Sequence, residues 1–187
     1  MKTDKKTSDR LDFDKTLNKS IKLLKTNKNF VIPFLTIVGI NTGLRISDLL
    51  KITHFMLSGE SFTITEKKTG KTRKITINEN IKNSYEIFKN RLGNFNENDS
   101  LFLSQKGCVY TTRSINRELK KLYQEKNLNI STHTLRKTYG YRVFENNNES
   151  ERSLILLSDI FNHSNSSITR VYLGIREKEI SDIYLNL

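Results

Sequence analysis

Apolar residues recur three or four positions apart along most of the chain, which is the spacing of an amphipathic helix. Leu17, Ile21 and Leu24 begin this pattern, and Thr112 is a plausible N-cap for a later helix. Gly43 is expected to end the second helix, because glycine is favoured just after a helix C-terminus. The predicted helices cover residues 14–25, 29–41, 46–52, 81–88, 112–124, 131–145, 154–161, 166–173 and 176–186.

The hydrophobic period changes to two in the middle of the chain. Alternation runs over residues 62–66 and again over 72–77, with Gly70 between the two runs, and this predicts a β-hairpin with a basic turn. The short apolar piece at 101–103 could be a third strand or an extended loop. With no internal repeat and no Pro- or Gly-rich linker, the chain is predicted to be one α+β, mainly helical domain with a hairpin or three-stranded sheet at one edge.

Composition supports a folded, basic protein. The chain has 187 residues, is 35% hydrophobic and contains 10 Phe and 7 Tyr, so wholesale disorder is excluded. Its 32 Lys and Arg against 20 Asp and Glu give a charge of +12. The absence of Ala and Trp and the many Asn, Lys and Ile suggest an AT-rich coding sequence, which weakens bulk charge as evidence of function. A local peak over residues 67–74 is better evidence for a phosphate-bearing partner.

Other classes of protein are excluded by simple counts. Cys108 is the only cysteine, so the chain can form no internal disulfide and no thiolate zinc cluster, and no metal or other cofactor is expected. The longest apolar run, residues 30–40, is too short for a membrane span. The N-terminus lacks the apolar core of a secretory signal. A soluble protein of a reducing, intracellular compartment is expected, with Cys108 and His54 in structural or incidental roles.

Several charged residues stand where chemistry is possible. His133 and Arg136 are three apart near a helix start, a place that favours an anion, although an ordinary solvated pair would look the same. Arg45 follows an apolar helix and needs a partner, which Asp48 could supply. The hairpin turn carries five cations and one anion over residues 66–74. Tyr172 by itself could simply pack in the core.

Taken in chain order, Arg45, the hairpin lysines, His133 with Arg136, His163 and Tyr172 resemble the motifs of the tyrosine recombinases, also called phage integrases. The resemblance covers residues 12–187. Tyr172 follows His163 by nine positions, the offset of that family. The resemblance implies the recombinase catalytic fold. The motifs that carry it are Thr42-Gly43-Leu44-Arg45-Ile46-Ser47-Asp48-Leu49, Lys68-Thr69-Gly70-Lys71, His133-Thr134-Leu135-Arg136-Lys137-Thr138, and Asn162-His163-Ser164 through Tyr172.

The resemblance also implies a role for each matched residue. Tyr172 would attack a DNA phosphodiester to give a 3′-phosphotyrosyl link and a free 5′-hydroxyl, without metal or ATP. Arg45 and Arg136 would clamp the phosphate oxygens. His133 would deprotonate the tyrosine or hydrogen-bond the phosphate, and His163 would donate a hydrogen bond to the transition state.

The hairpin is expected to supply the remaining groups. Lys68 matches the lysine that protonates the leaving 5′-oxygen, although neighbouring lysines at 67, 71 and 74 leave room for a slip. Lys71 and Arg73 are expected to contact DNA. Asp48 is expected to support Arg45.

The sequence also departs from the family pattern. Residues 1–11 are expected to be disordered, and a separate N-terminal core-binding domain before Arg45 is not expected, so the chain would be either a catalytic fragment or a naturally short member. Asn162 replaces the usual small residue before the second histidine. The stretch between Arg136 and His163 is longer than usual, through residues 146–150.

The expected function is therefore a site-specific recombinase that acts on double-stranded DNA. Assembly as a tetramer is expected, with the helix at 176–186 docking on a neighbouring protomer. The expected location is the cytoplasm of a bacterium or phage-infected host, associated with the nucleoid. Two alternatives remain: a DNA-binding regulator or accessory protein with the recombinase fold, and a type IB topoisomerase. The latter is disfavoured because His133 stands where those enzymes generally have lysine.

Overall fold

The computed structural model describes residues 7–186. These residues form a mainly helical domain with one antiparallel hairpin, as predicted. In chain order the elements are α1 Phe13–Thr26, α2 Val31–Thr42, α3 Ile46–Leu49, α4 His54–Leu57, β1 Ser61–Thr65, β2 Thr72–Thr76, α5 Glu79–Leu92, α6 Thr112–Tyr123, α7 Thr132–Asn146, α8 Glu151–Phe161, α9 Ser166–Leu173 and α10 Ile175–Leu185.

Polar caps set the helix boundaries. Ser131 caps α7 by accepting from the His133 N–H at 3.1 Å, and Ser150 caps α8 in the same way, so α8 begins three residues before the predicted start. Thr111, and not Thr112, is the N-cap of α6. The predicted helix over 46–52 ends at Leu49, and the single turn α4 was not predicted. Each shift reflects which side chain reaches the free N–H groups of the first turn.

The hairpin has the predicted alternation. Phe62 pairs with Ile75 and Ile64 pairs with Arg73 across β1 and β2, and both β1 residues are buried. Within residues 7–186 the sheet has these two strands only. The three-stranded sheet is therefore wrong, and residues 101–103 form an extended loop with an isolated bridge from Leu103 to Val109.

The core lies around α2, which is buried on nearly all sides and packs on α1, α5 and α7. Phe34 of α2 stacks on Phe88 of α5 with ring centroids 4.3 Å apart. A second apolar cluster centres on Phe161 and joins α7, α8 and α9. His54 is buried, with Nδ1 3.0 Å from the Tyr85 hydroxyl, which fits its expected structural role. No helix among the described residues has the length and apolar character needed to span a membrane.

The segment before α1 corrects one expectation. Residues 1–6 lie outside the described part of the chain, but residues 7–11, also expected to be disordered, are packed on the domain. Leu11 is buried and its N–H donates to Thr138 Oγ1 at 3.0 Å. Asp9 Oδ2 accepts from the Asn129 N–H at 2.7 Å. These partners lie more than a hundred residues away in sequence, so local composition did not indicate them.

Candidate active site

Two arginines from different elements converge on one backbone oxygen. Arg45 lies between α2 and α3, and Arg136 projects from the first half of α7. The Nη2 groups of both donate to the Phe161 carbonyl, each at 2.9 Å. Since each guanidinium carries five N–H donors, both keep donors for a further ligand. The two predicted phosphate-binding arginines therefore lie side by side.

Arg136 is the more deeply held of the two. Only 4% of the residue is exposed. Its Nη1 donates to the Gly43 carbonyl at 2.6 Å, and its guanidinium lies 4.2 Å above the Phe161 ring. Burial and the charge of Arg45 lower the pKa of Arg136 to about 10, so the group is still a cation at neutral pH.

Arg45 is paired with a residue that the sequence did not single out. Its Nη1 donates to Glu66 Oε2 at 2.5 Å, which corrects the expectation that Asp48 is its partner. The Asp48 carboxylate instead accepts from the Lys67 N–H at 2.8 Å and faces Lys51 at 3.5 Å. Alternation in β1 could have indicated Glu66, because it continues the inward face of the strand.

The two hairpin residues expected to contact DNA differ in their surroundings. Lys71 is exposed. Arg73 is turned inward: its Nη1 donates to the Ile160 carbonyl at 2.7 Å and to Glu66 Oε1 at 3.2 Å. In this arrangement Arg73 links the hairpin to α8, and its expected contact with DNA stays a prediction.

His163 and Tyr172 lie together next to the arginines. Asn162 adopts φ 53° at the end of α8 and turns the chain so that His163 follows at once; this left-handed conformation suits asparagine. His163 Nδ1 lies 2.9 Å from Thr169 Oγ1. The rings of His163 and Tyr172 are 5.3 Å apart, edge to face. Burial, Arg136, Arg45 and Lys68 lower the pKa of His163.

The Tyr172 hydroxyl is buried and has no hydrogen-bond partner among the described residues. Burial raises the pKa of Tyr172 to about 12, and the charges of Arg136 and Arg45 oppose that rise. The Lys137 ammonium lies 5.4 Å from the ring centroid. The phenol is therefore held protonated beside the arginines, and reaction would require it to gain a proton acceptor.

His133 and Lys68 are exposed at the edge of the same site. Partial desolvation and the charges of Arg136, Lys137, Arg45 and Lys68 lower the pKa of His133. The charge of Lys68 contributes to the lowered pKa of both histidines. Electrostatics thus favours Lys68 as the hairpin lysine of the site.

The donor groups of the site are mainly cationic. Within residues 7–186 no three His, Cys, Asp or Glu side chains are grouped so that they could hold a metal ion. The site is better suited to an anion, because arginines and histidines line it and Glu66 is engaged with Arg45 and Arg73.

This fold is that of a tyrosine recombinase catalytic domain. The chain belongs to the phage integrase family, whose model matches residues 14–179. It is 38% identical over 165 residues to the probable integrase/recombinase YoeC of Bacillus subtilis strain 168, covering 84% of each chain. It is 27% identical to the tyrosine recombinase XerD of Oceanobacillus iheyensis, over 76% of this chain and 50% of that protein.

Solved structures share the fold at low sequence identity. The XerA recombinase superposes with a TM-score of 0.68 at 19% identity, over 98% of this chain and 65% of that one. The XerH recombinase bound to palindromic difH substrate, in a post-cleavage complex, gives 0.63 at 19% identity, over 96% and 53%. The chain therefore spans about two thirds or less of these structures.

Proposed function

We propose that this protein is a site-specific DNA recombinase that cleaves and rejoins DNA strands through a phosphotyrosyl intermediate on Tyr172. The observation that carries the proposal is the convergence of Arg45 and Arg136 on one carbonyl, directly beside His163 and the Tyr172 ring. A pair of fixed guanidiniums suits a phosphodiester, because their planar forks match its non-bridging oxygens.

The proposed step exchanges one phosphodiester for another. The Tyr172 oxygen forms a bond to phosphorus, the bond from phosphorus to the 5′-oxygen breaks, and Lys68 gives that oxygen a proton. Arg45 and Arg136 stabilise the charge that develops on the phosphate. Bond energy is kept in the phosphotyrosyl link, so rejoining requires no ATP, and the arginines supply the positive charge that a metal ion would otherwise supply.

The histidines complete the proton transfers. The lowered pKa values of His133 and His163 keep both rings largely neutral near pH 7, so either ring has a free nitrogen that can accept a proton. We assign acceptance of the Tyr172 proton to His133 and a hydrogen bond to the phosphate to His163. Since the Tyr172 hydroxyl is buried without a described partner, DNA binding must turn it toward the phosphate.

Double-stranded DNA is the proposed partner. The turn of the hairpin exposes the lysines at 67, 68, 71 and 74 beside the site, and phosphate contacts of this kind supply most non-specific affinity. Structural relatives include an integrase of the Tn1549 transposon in complex with transposon right end DNA and a lambda integrase dimer bound to a COC′ core site. We also propose assembly as a tetramer on DNA through α10.

A nicked duplex tests the main proposal. A library of nicked duplexes with randomised cores lets the strand beyond the cut diffuse away, so the covalent complex accumulates and can be sequenced after denaturing capture. We expect wild-type protein to form an adduct in EDTA without ATP, and Tyr172→Phe to form none while binding the same DNA. Adduct formation by Tyr172→Phe, or a requirement for Mg²⁺, would contradict the mechanism.

A DNA-binding regulator with the same fold is the second candidate, and one observation favours it. The nucleophile is held protonated, with a pKa of about 12 and its hydroxyl buried, which is a resting arrangement. If the wild-type protein retards the duplexes but yields no adduct with any of them, the regulator is the better description.

A further inference from the structure

A single carboxylate connects the parts of the site that come from separate elements. Glu66 is 1% exposed and directly follows β1. Its Oε2 accepts from Arg45 Nη1 at 2.5 Å and from Thr69 Oγ1 at 2.9 Å, and its Oε1 accepts from Arg73 Nη1 at 3.2 Å. We propose that Glu66 is a positioning residue, which fixes the Arg45 guanidinium for phosphate binding and ties it to the hairpin turn that carries Lys68.

Fixing Arg45 is a demanding task at this place. Arg45 and Arg73 are close enough to Arg136 to lower its pKa, and three like charges repel. The Glu66 carboxylate lies between the first two and offsets that repulsion. An arginine side chain also loses rotamer entropy when it is held in one orientation. A charge-assisted hydrogen bond to a buried carboxylate is strong enough to hold it.

The same residue closes the hairpin turn. The Glu66 N–H donates to the Lys71 carbonyl at 3.0 Å, and the Glu66 carbonyl accepts from the Gly70 N–H at 2.9 Å. Thr69 returns to the Glu66 carboxylate from within the turn. Lys68 thus lies in a short loop that begins at Glu66 and is tied back to it by Thr69 and Gly70, so the proposed proton donor and a proposed phosphate-binding arginine share one anchor.

The charge state of Glu66 agrees with this role. Burial alone would raise its pKa, but the hydrogen bond from Thr69 and the charges of Arg45 and Arg73 hold it below its ordinary value. Glu66 is therefore an anion at neutral pH. An anion beside a phosphate site weakens DNA binding electrostatically, so its benefit must lie in orientation.

The inference rests on the proposed function. It predicts that Glu66 has opposite effects on two quantities: it speeds cleavage and weakens DNA binding. In Glu66→Gln the amide keeps the shape but loses the charge. We expect adduct formation on a nicked duplex to slow by about 10- to 100-fold, the range for modest misplacement of a reacting group. DNA affinity, measured in a Tyr172→Phe background, should stay equal or become tighter. A merely structural defect would reduce rate and affinity together.

The matched control is Glu60→Gln. Glu60 belongs to the same hairpin region and pairs with Lys82 at 2.6 Å, but its side chain is 84% exposed, so rate and affinity should match wild type. In an Arg45→Lys background, Glu66→Gln should add no further loss of rate, because the two residues act as a unit. If Glu66→Gln unfolds the protein, Thr69→Val removes one donor only and should give a smaller loss of rate.

Two outcomes would overturn the inference: a wild-type cleavage rate in Glu66→Gln, or a fall in rate matched by an equal fall in affinity. If wild-type protein forms no adduct, the proposed function fails, and positioning is measured separately by side-chain ¹⁵N resonances of Arg45. Those resonances should shift in Glu66→Gln and stay unchanged in Glu60→Gln. Identical Arg45 resonances in all three proteins would reject the positioning role even then.

Discussion

At the scale of single residues, the lysines in the basic turn of the hairpin differ in their electrostatic influence on the site. Lys68 is the one whose charge reaches both His133 and His163, although it is exposed like its neighbours. Lys71 is exposed, and its backbone N–H donates to Thr69 Oγ1 at 3.3 Å. This shared influence on the two histidines supports the proposed role of Lys68 as the proton donor.

This assignment predicts a specific loss in Lys68→Ala. Adduct formation should fall by about 10²- to 10⁴-fold, the usual contribution of general acid catalysis. A duplex with sulfur at the bridging 5′ position should restore most of the rate, because a thiol, with a pKa near 8.5, leaves without a proton from the enzyme. Lys71→Ala is the control and should lose little cleavage rate; the opposite pattern would move the role to Lys71.

Residue identities in the site were more predictable than their contacts. The family motifs singled out Arg45, Arg136, His163 and Tyr172 as candidates, and the structure brings all four together. The partner of Arg45 was not predictable from spacing, because Glu66 is 21 positions away whereas the nearer carboxylate is already held by a backbone N–H. Sequence spacing shows which charged residues are neighbours in the chain, but the tertiary structure determines which of them form ion pairs.

At the scale of elements, the junction between α2 and α3 connects the core to the site. Gly43 ends α2 with φ 62°, and its carbonyl accepts from Arg136 Nη1. A methyl group added there would overlap the Tyr139 ring. Gly43 thus combines a left-handed backbone, a close approach and a contact with a phosphate-binding arginine, two residues before Arg45.

Gly43→Ala should therefore cost more stability than an ordinary glycine substitution. The left-handed conformation costs about 1–2 kcal/mol for a non-glycine residue, and overpacking against Tyr139 adds about 1–3 kcal/mol. Gly70→Ala is the matched control, since Gly70 has φ 68° but no neighbour within 4 Å of the added methyl, and it should show only the first cost. Urea unfolding of both variants measures the difference; equal losses would mean that the Tyr139 contact relaxes freely.

Elements with a strong period were predicted well, and those held by distant contacts were not. The hairpin alternation from Phe62 to Ile77 was confirmed because one face is buried. The segment before α1 was wrongly expected to be disordered over residues 7–11, since its order depends on Asn129 and Thr138. Residues 101–103 do not pair with the hairpin strands. A short apolar run does not show whether a partner strand lies beside it, so the sequence left a third strand open.

At the scale of the whole molecule, the described side chains of α10 are exposed from Arg176 onward. Ile175 at its start is buried, and Arg170 pairs with Glu179. Its later apolar side chains are exposed: Ile180, Ile183, Tyr184 and Leu185. Exposed apolar residues grouped on one short helix are typical of a surface that packs on another protein, which supports the proposed docking of α10 on a second protomer.

Ile183→Asp should weaken this assembly without unfolding the monomer. Ile183 is 63% exposed, so its replacement removes little from the monomer's own core, and Phe55→Asp is a matched control because Phe55 is also 63% exposed. A buried isoleucine contributes about 1.5–3 kcal/mol, so losing it at each contact should weaken assembly by at least about tenfold per interface. The mass of the protein–DNA complex in solution measures this. Wild type and Phe55→Asp should reach four protomers, whereas Ile183→Asp should stop at smaller complexes; an unchanged tetramer in Ile183→Asp would place the contact elsewhere.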